Sequence, residues 1–107
     1  MNKNILHIPS LTYFGNDLNV LQRFLKHRGN PPYHIDGDLD LRHTPIKSLG
    51  NLTSVGGYLD LGDSDIESLG NLTSVGEDLN LENTPLSKIM IENDIRSQVN
   101  VEGYIYL

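Results

Sequence analysis

Apolar and polar residues alternate in a short x-Leu-x-Leu pattern at Leu39/Leu41, Leu59/Leu61 and Leu79/Leu81, and again at Ile105/Leu107. A period of two buries one face of a strand and leaves the other wet, so each segment predicts a short strand with its leucines inward. After the first two strands the apolar residues fall at threes, as Ile46, Leu49, Leu52 and Val55, then Ile66, Leu69, Leu72 and Val75. That spacing suits a return path whose apolar side chains all point at one axis. Gly50, Gly56, Gly70 and Gly76 mark the corners, where positive φ is tolerated. Residues 16–28 carry a helical pattern: an Asn16 N-cap, apolar Leu18, Leu21, Phe24 and Leu25, basic residues in the last turn and a Gly29 stop.

The pattern repeats. Residues 37–56 (GDLDLRHTPIKSLGNLTSVG) and 57–76 (GYLDLGDSDIESLGNLTSVG) are identical at 14 of 20 positions. Residues 77–89 begin a third copy, and VEGYIYL at the end matches the join VGGYLDL. One 20-residue unit cannot bury its own leucines, whereas stacked units can. The expected fold is therefore a mostly β repeat solenoid with a parallel sheet on one face. Residues 1–36 are its N-terminal cap, with the helix at about 16–28. Residues 37–107 form the repeat body: 37–56, 57–76, 77–100 with a helical insertion, and a closing strand 101–107. Ile89, Ile91 and Ile95 predict a short helix within 87–98, before the last strand. Residues 4–14 fit either a strand or a loop packed on the first helix.

The unit G-x-L-x-L-x-x-T-x-I-x-S-L-G-N-L-x-x-V-G resembles a short leucine-rich-repeat-type solenoid. It is similar to the L-domain repeats of receptor ectodomains, where V-G-G-x-L-x-I joins successive turns. It also resembles small repeat proteins of bacteriophages and bacteria, in which a helix ends in an FLKxRGNPPY-like segment, here Phe24 to Tyr33, and a GYIYL-like strand closes the chain. The likeness spans roughly residues 20–107, with few repeats and without the L-x-x-L-x-L-x-x-N order of ordinary leucine-rich repeats. It implies a recognition scaffold, such as a phage-encoded inhibitor or adaptor acting on a host protein, and carries over no catalytic residue.

Composition narrows this further. The 107 residues include no Cys, Ala or Trp, which removes disulfides, thiol catalysis and Cys-ligated metals and points to a cytoplasmic setting. No apolar run approaches the roughly 20 residues that span a bilayer, and the start is a poor signal peptide, so no membrane role is expected. The net charge of −6 is uneven. Residues 1–36 hold four basic and two acidic side chains (+2), and residues 37–107 hold four basic and twelve acidic (−8). The change of sign suggests a boundary near Pro31-Pro32 and argues against direct nucleic-acid binding.

If the leucines point inward, Asp38, Asp40 and Arg42 point outward. Their stacked equivalents are Tyr58 and Asp60; then Asp78, Asn80 and Glu82; then Tyr104 and Tyr106. Aligned carboxylates repel and contribute nothing to a core, and tyrosines favour interfaces. These ten residues are the expected binding face for a protein partner with a basic patch. Repeat duplication with a solubilising face is the plainer account of the same residues. Tyr104–Leu107 is an edge that offers a route to a homodimer by strand pairing.

Other chemistries find less support. No HExxH, GxSxG, P-loop or GxGxxG pattern is present, so no catalytic residue and no cofactor is expected. His7, His27, His34 and His43 share no ligand spacing and read as surface or packing residues. The Asp36-x-Asp38-x-Asp40 run has Leu41 and Lys47 where a calcium loop needs Gly and Glu. Ser54 and Ser74 read as corner residues, and the Asn51 and Asn71 sequons as corner hydrogen-bonders. Lys26-His27-Arg28 sits at a helix C-terminus, which favours cations with or without a phosphate ligand. Two alternatives stand beside protein recognition: a nucleic-acid mimic blocking a DNA-binding protein, for which 14 acidic residues are sparse, and a small hydrolase or nuclease.

Overall fold

Leu39 lies beside Leu59, Leu59 beside Leu79 and Leu79 beside Ile105, all in parallel. In the computed structural model, which describes residues 5–107, these residues belong to β3 (Leu39–Asp40), β5 (Leu59–Asp60), β7 (Leu79–Asn80) and β9 (Ile105–Tyr106). Together they form a four-stranded sheet. A second parallel sheet of five strands runs in the order β1 (Leu6–Ile8), β2 (Tyr33–Ile35), β4 (Leu52–Val55), β6 (Ser74–Val75) and β8 (Asn100–Val101). The helices are few and short: α1 (Leu18–Lys26), α2 (Glu92–Arg96) and two 3-10 turns at Leu11–Phe14 and Leu86–Lys88. The chain is a small α/β domain with two parallel sheets.

The second sheet corrects the expectation of a mostly β fold with one sheet. Leu52–Val55 and Ser74–Val75 are strands whose period of two is broken in the sequence: Leu52 and Val55 are both buried although three positions apart, because the register slips opposite Tyr33 and His34. Thr53 Oγ1 donates to Tyr33 O and Thr73 Oγ1 to Thr53 O, both at 2.9 Å, while Leu52 and Val55 point into the core. The core lies between the two sheets. Leu39, Leu41, Leu59, Leu61, Leu79 and Leu81 face Ile35, Leu52, Val55, Ile66 and Val75, and all are buried. Ile105 and Leu107 differ from the expected inward pair: Ile105 is half-buried and Leu107 exposed, since β9 has no further strand beside it among the described residues.

Helix α1 starts later than the pattern suggests. Asp17 is its N-cap, its carboxylate accepting from Asn19 N–H at 2.9 Å, and Asn16 instead adopts positive φ at 58°. The helix as N-terminal cap is not supported. β1, from the segment whose role the sequence left open, pairs with β2 and extends the five-stranded sheet, and a cleft lined by Leu18, Leu21, Leu25, Leu39 and Leu41 lies beside α1. Residues 1–4, the last of which opens that segment, lie outside the described residues. The expected helical insertion near 87–98 is split into the Leu86–Lys88 turn and α2, and it buries Ile95 while Ile89 and Ile91 are exposed.

The corner glycines serve two different needs. Gly50 and Gly70 have positive φ (57° and 58°), as the turn requires. Gly56 and Gly76 do not; there the neighbouring repeat passes so close that a Cβ on Gly76 would overlap the carbonyl oxygen of Gly56, and one on Gly56 that of Asp36. Among the described residues, no helix is long and apolar enough to cross a membrane.

Candidate functional site

On the four-stranded sheet the outward residues form two rows. One row pairs Asp40 with Asp60, Asp60 with Asn80 and Asn80 with Tyr106. In the other, the carbonyls of Tyr58, Asp78 and Tyr104 accept from the amides of Leu39, Leu59 and Leu79. Parallel strands spaced about 4.8 Å apart put repeat-equivalent side chains side by side, so all of Asp38, Asp40, Arg42, Tyr58, Asp60, Asp78, Asn80, Glu82, Tyr104 and Tyr106 lie on or beside this sheet.

The acidic residues nevertheless do structural work there. The carboxylate of Asp40 accepts from the backbone N–H of Arg42, that of Asp60 from Gly62, and the amide oxygen of Asn80 from Glu82, at 2.9–3.1 Å. Each caps the turn that follows its strand. Arg42 grips Asp40 with Nε and Nη2, both at 3.1 Å, and lies 3.6 Å from Asp60. Its side-chain hydrogen bonds hold the Asp40 carboxyl below the usual carboxylate range and raise the guanidinium in turn. Asn80 Nδ2 donates to Asp60 at 3.1 Å. Asp38 and Asp78 accept from Tyr58 N–H (3.0 Å) and Tyr104 N–H (2.8 Å). Beyond the repulsion expected of aligned carboxylates, the oxygens of Asp38, Asp40, Asp60 and Asp78 satisfy backbone amides. The sheet-face groups left without such duty are the exposed rings of Tyr58, Tyr104 and Tyr106, the last two 6.4 Å apart, together with the Glu82 carboxylate.

A second constellation lies on the other sheet. Strands β1 and β2 pair His7 with His34, and the rings meet edge to face with centroids 5.1 Å apart. Asp36 Oδ1 is 3.2 Å from His34 Nε2 and 3.7 Å from His7 Nδ1. On its far side His34 Nδ1 meets Ser54 Oγ at 2.5 Å. The linear spacing of the four histidines conceals this pair. The signal available in the sequence is the recurrence of Leu-His-Ile at 6–8 as Tyr-His-Ile at 33–35, which marks two equivalent strands. His43 pairs instead with Asp63 at 3.7 Å.

Ser54, His34 and Asp36 stand in nucleophile, base and carboxylate order, yet such a set also needs a place for the reacting group. The two clefts described, both beside α1, are lined by none of the three. Of the corner residues, Asn51 Nδ2 donates to Asn30 O (2.5 Å) and Asn71 Nδ2 to Asn51 Oδ1 (3.0 Å). The Arg28 guanidinium lies over the Phe24 ring, 3.9 Å from its centroid. A comparison with protein-family models, curated proteins and solved structures gave no match.

Proposed function

We propose that this chain is a short leucine-rich-repeat-like solenoid that acts as a non-catalytic recognition module, binding a protein partner through the four-stranded sheet. The 20-residue register shared by both sheets supports the solenoid reading. One observation carries the functional reading: three tyrosines are exposed on an acidic sheet face that has no other use for them. Tyr104 is 72% exposed and Tyr106 45%, with Tyr58 beside the Asp38 carboxylate. Rings with an apolar body and a polar tip bind at low entropic cost, and the surrounding carboxylates favour a partner with Lys or Arg at its centre.

The test uses residues the fold does not need. Tyr104→Ser with Tyr106→Ser removes the aromatic pair, and Tyr13→Ser, exposed on the 3-10 turn, is the control. A protein retained from a cell extract by the parent chain and by the Tyr13 variant, but lost with the double variant, supports the reading. Retention that ignores the tyrosine pair rejects it.

A further inference from the structure

We propose that His7, His34 and Asp36 bind a divalent first-row transition-metal ion of the Zn²⁺ or Ni²⁺ class at the β1 edge of the five-stranded sheet. One ring nitrogen each of His7 and His34 and a carboxylate oxygen of Asp36 all lie within 4.8 Å of one another. A tetrahedral ion with ligand bonds of roughly 2.0–2.1 Å holds its donors about 3.3 Å apart. The His34–Asp36 separation of 3.2 Å already meets that spacing, and the 3.7 Å to His7 closes with a small turn of an exposed ring on an edge strand. Two imidazoles and one carboxylate select borderline metals over Ca²⁺ and Mg²⁺, which require oxygen-rich shells.

Two further features fit a built site. Ser54 Oγ engages the Nδ1 of His34, which fixes the ring and leaves Nε2 aimed at Asp36, the usual service of an outer partner to a metal-ligating histidine. The His34 side chain is 22% exposed, whereas those of His7 and Asp36 are 67% and 56% exposed. One ligand is thus held by the sheet, and solvent can supply the remaining coordination positions. The three ligands come from β1, from the middle of β2 and from the residue that follows β2, so a bound ion ties the edge strand to its neighbour and stabilises the folded chain by mass action.

The experiment is a calorimetric titration of the untagged, chelator-stripped full chain with ZnCl₂ and with NiCl₂, paired with thermal unfolding in each metal. The expected result is one ion per chain and an unfolding midpoint that rises with metal concentration. His7→Gln and His34→Gln should each weaken binding about tenfold or more. The double variant His27→Gln with His43→Gln should bind as the parent does, and imidazole NMR signals of His7 and His34 alone should move on adding Zn²⁺. His7→Gln keeps the test decisive if the His34 variant does not fold, since the His7 side chain is exposed on the edge strand. Absence of saturable binding, or binding that His7→Gln leaves unchanged, overturns the proposal.

Discussion

Asn80 donates its side-chain amide to the carboxylate of Asp60 at 3.1 Å, in the row where the first two repeats carry aspartate. Asp60 accepts that bond and also caps Gly62, so its charge is held between two donors, with Arg42 3.6 Å away. Asn80→Asp keeps the acceptor for Glu82 but exchanges a donor for a second carboxylate. The expected cost is about 1–2 kcal/mol, measured by urea unfolding and partly recovered in high salt. Asp60→Asn, which keeps an acceptor for Gly62, should cost less.

Burial pushes the Tyr33 phenol up to about 12. An unfolded tyrosine titrates near 10, so the folded state favours the protonated ring. Its contribution is fully present below pH 10 and is lost as the pH rises from 10 through 12. The loss is on the order of 3 kcal/mol. Ultraviolet absorbance should show a late-ionising phenol that Tyr33→Phe removes, and the same substitution should flatten the alkaline decline of stability.

At Gly76 the constraint is space. A methyl group there would overlap the Gly56 carbonyl, so Gly76→Ala must push two repeats apart at a cost of about 2–3 kcal/mol. Gly50→Ala meets no atom within 4 Å and incurs only the positive-φ penalty of about 1–2 kcal/mol. Urea midpoints of the two variants should fall in that order.

Arg96 joins α2 to the turn between β8 and β9. It pairs with Glu92 at 2.8 Å and donates to the carbonyls of Val101 (2.8 Å) and Gly103 (2.9 Å). A lysine cannot reproduce that fork, so Arg96→Lys should cost about 1–2 kcal/mol and raise hydrogen exchange in β8 and β9 more than in β4. Equal exchange in all three strands would deny that the contact is local.

The repeat also explains how charge is arranged between successive copies. Where the first two copies differ, Lys47 stands 3.7 Å from Glu67 and His43 3.7 Å from Asp63. His43, Asp63 and Asn83 all take positive φ at one turn position, a conformation that Asn, Asp and His tolerate better than most residues.

The sequence by itself determined the strands of the leucine face, their register and the rows of outward residues. Copies spaced by 20 residues, and a last strand by 26, give each leucine an equivalent in the next copy, and the parallel sheet follows that register. The sequence did not disclose the second sheet, because Leu52 and Val55 stand three positions apart, and a register slip between β2 and β4, not a period of two, turns both into the core. Nor did it disclose which acidic side chains are free, since a carboxylate that caps a turn and one that faces solvent read alike in a string of letters. Only the tertiary structure brought His7 beside His34, 27 positions away, outside the 20-residue period. That meeting depends on β1 pairing with β2, a long-range contact set by burial of Ile8 and Ile35 and not by any local preference of the histidines.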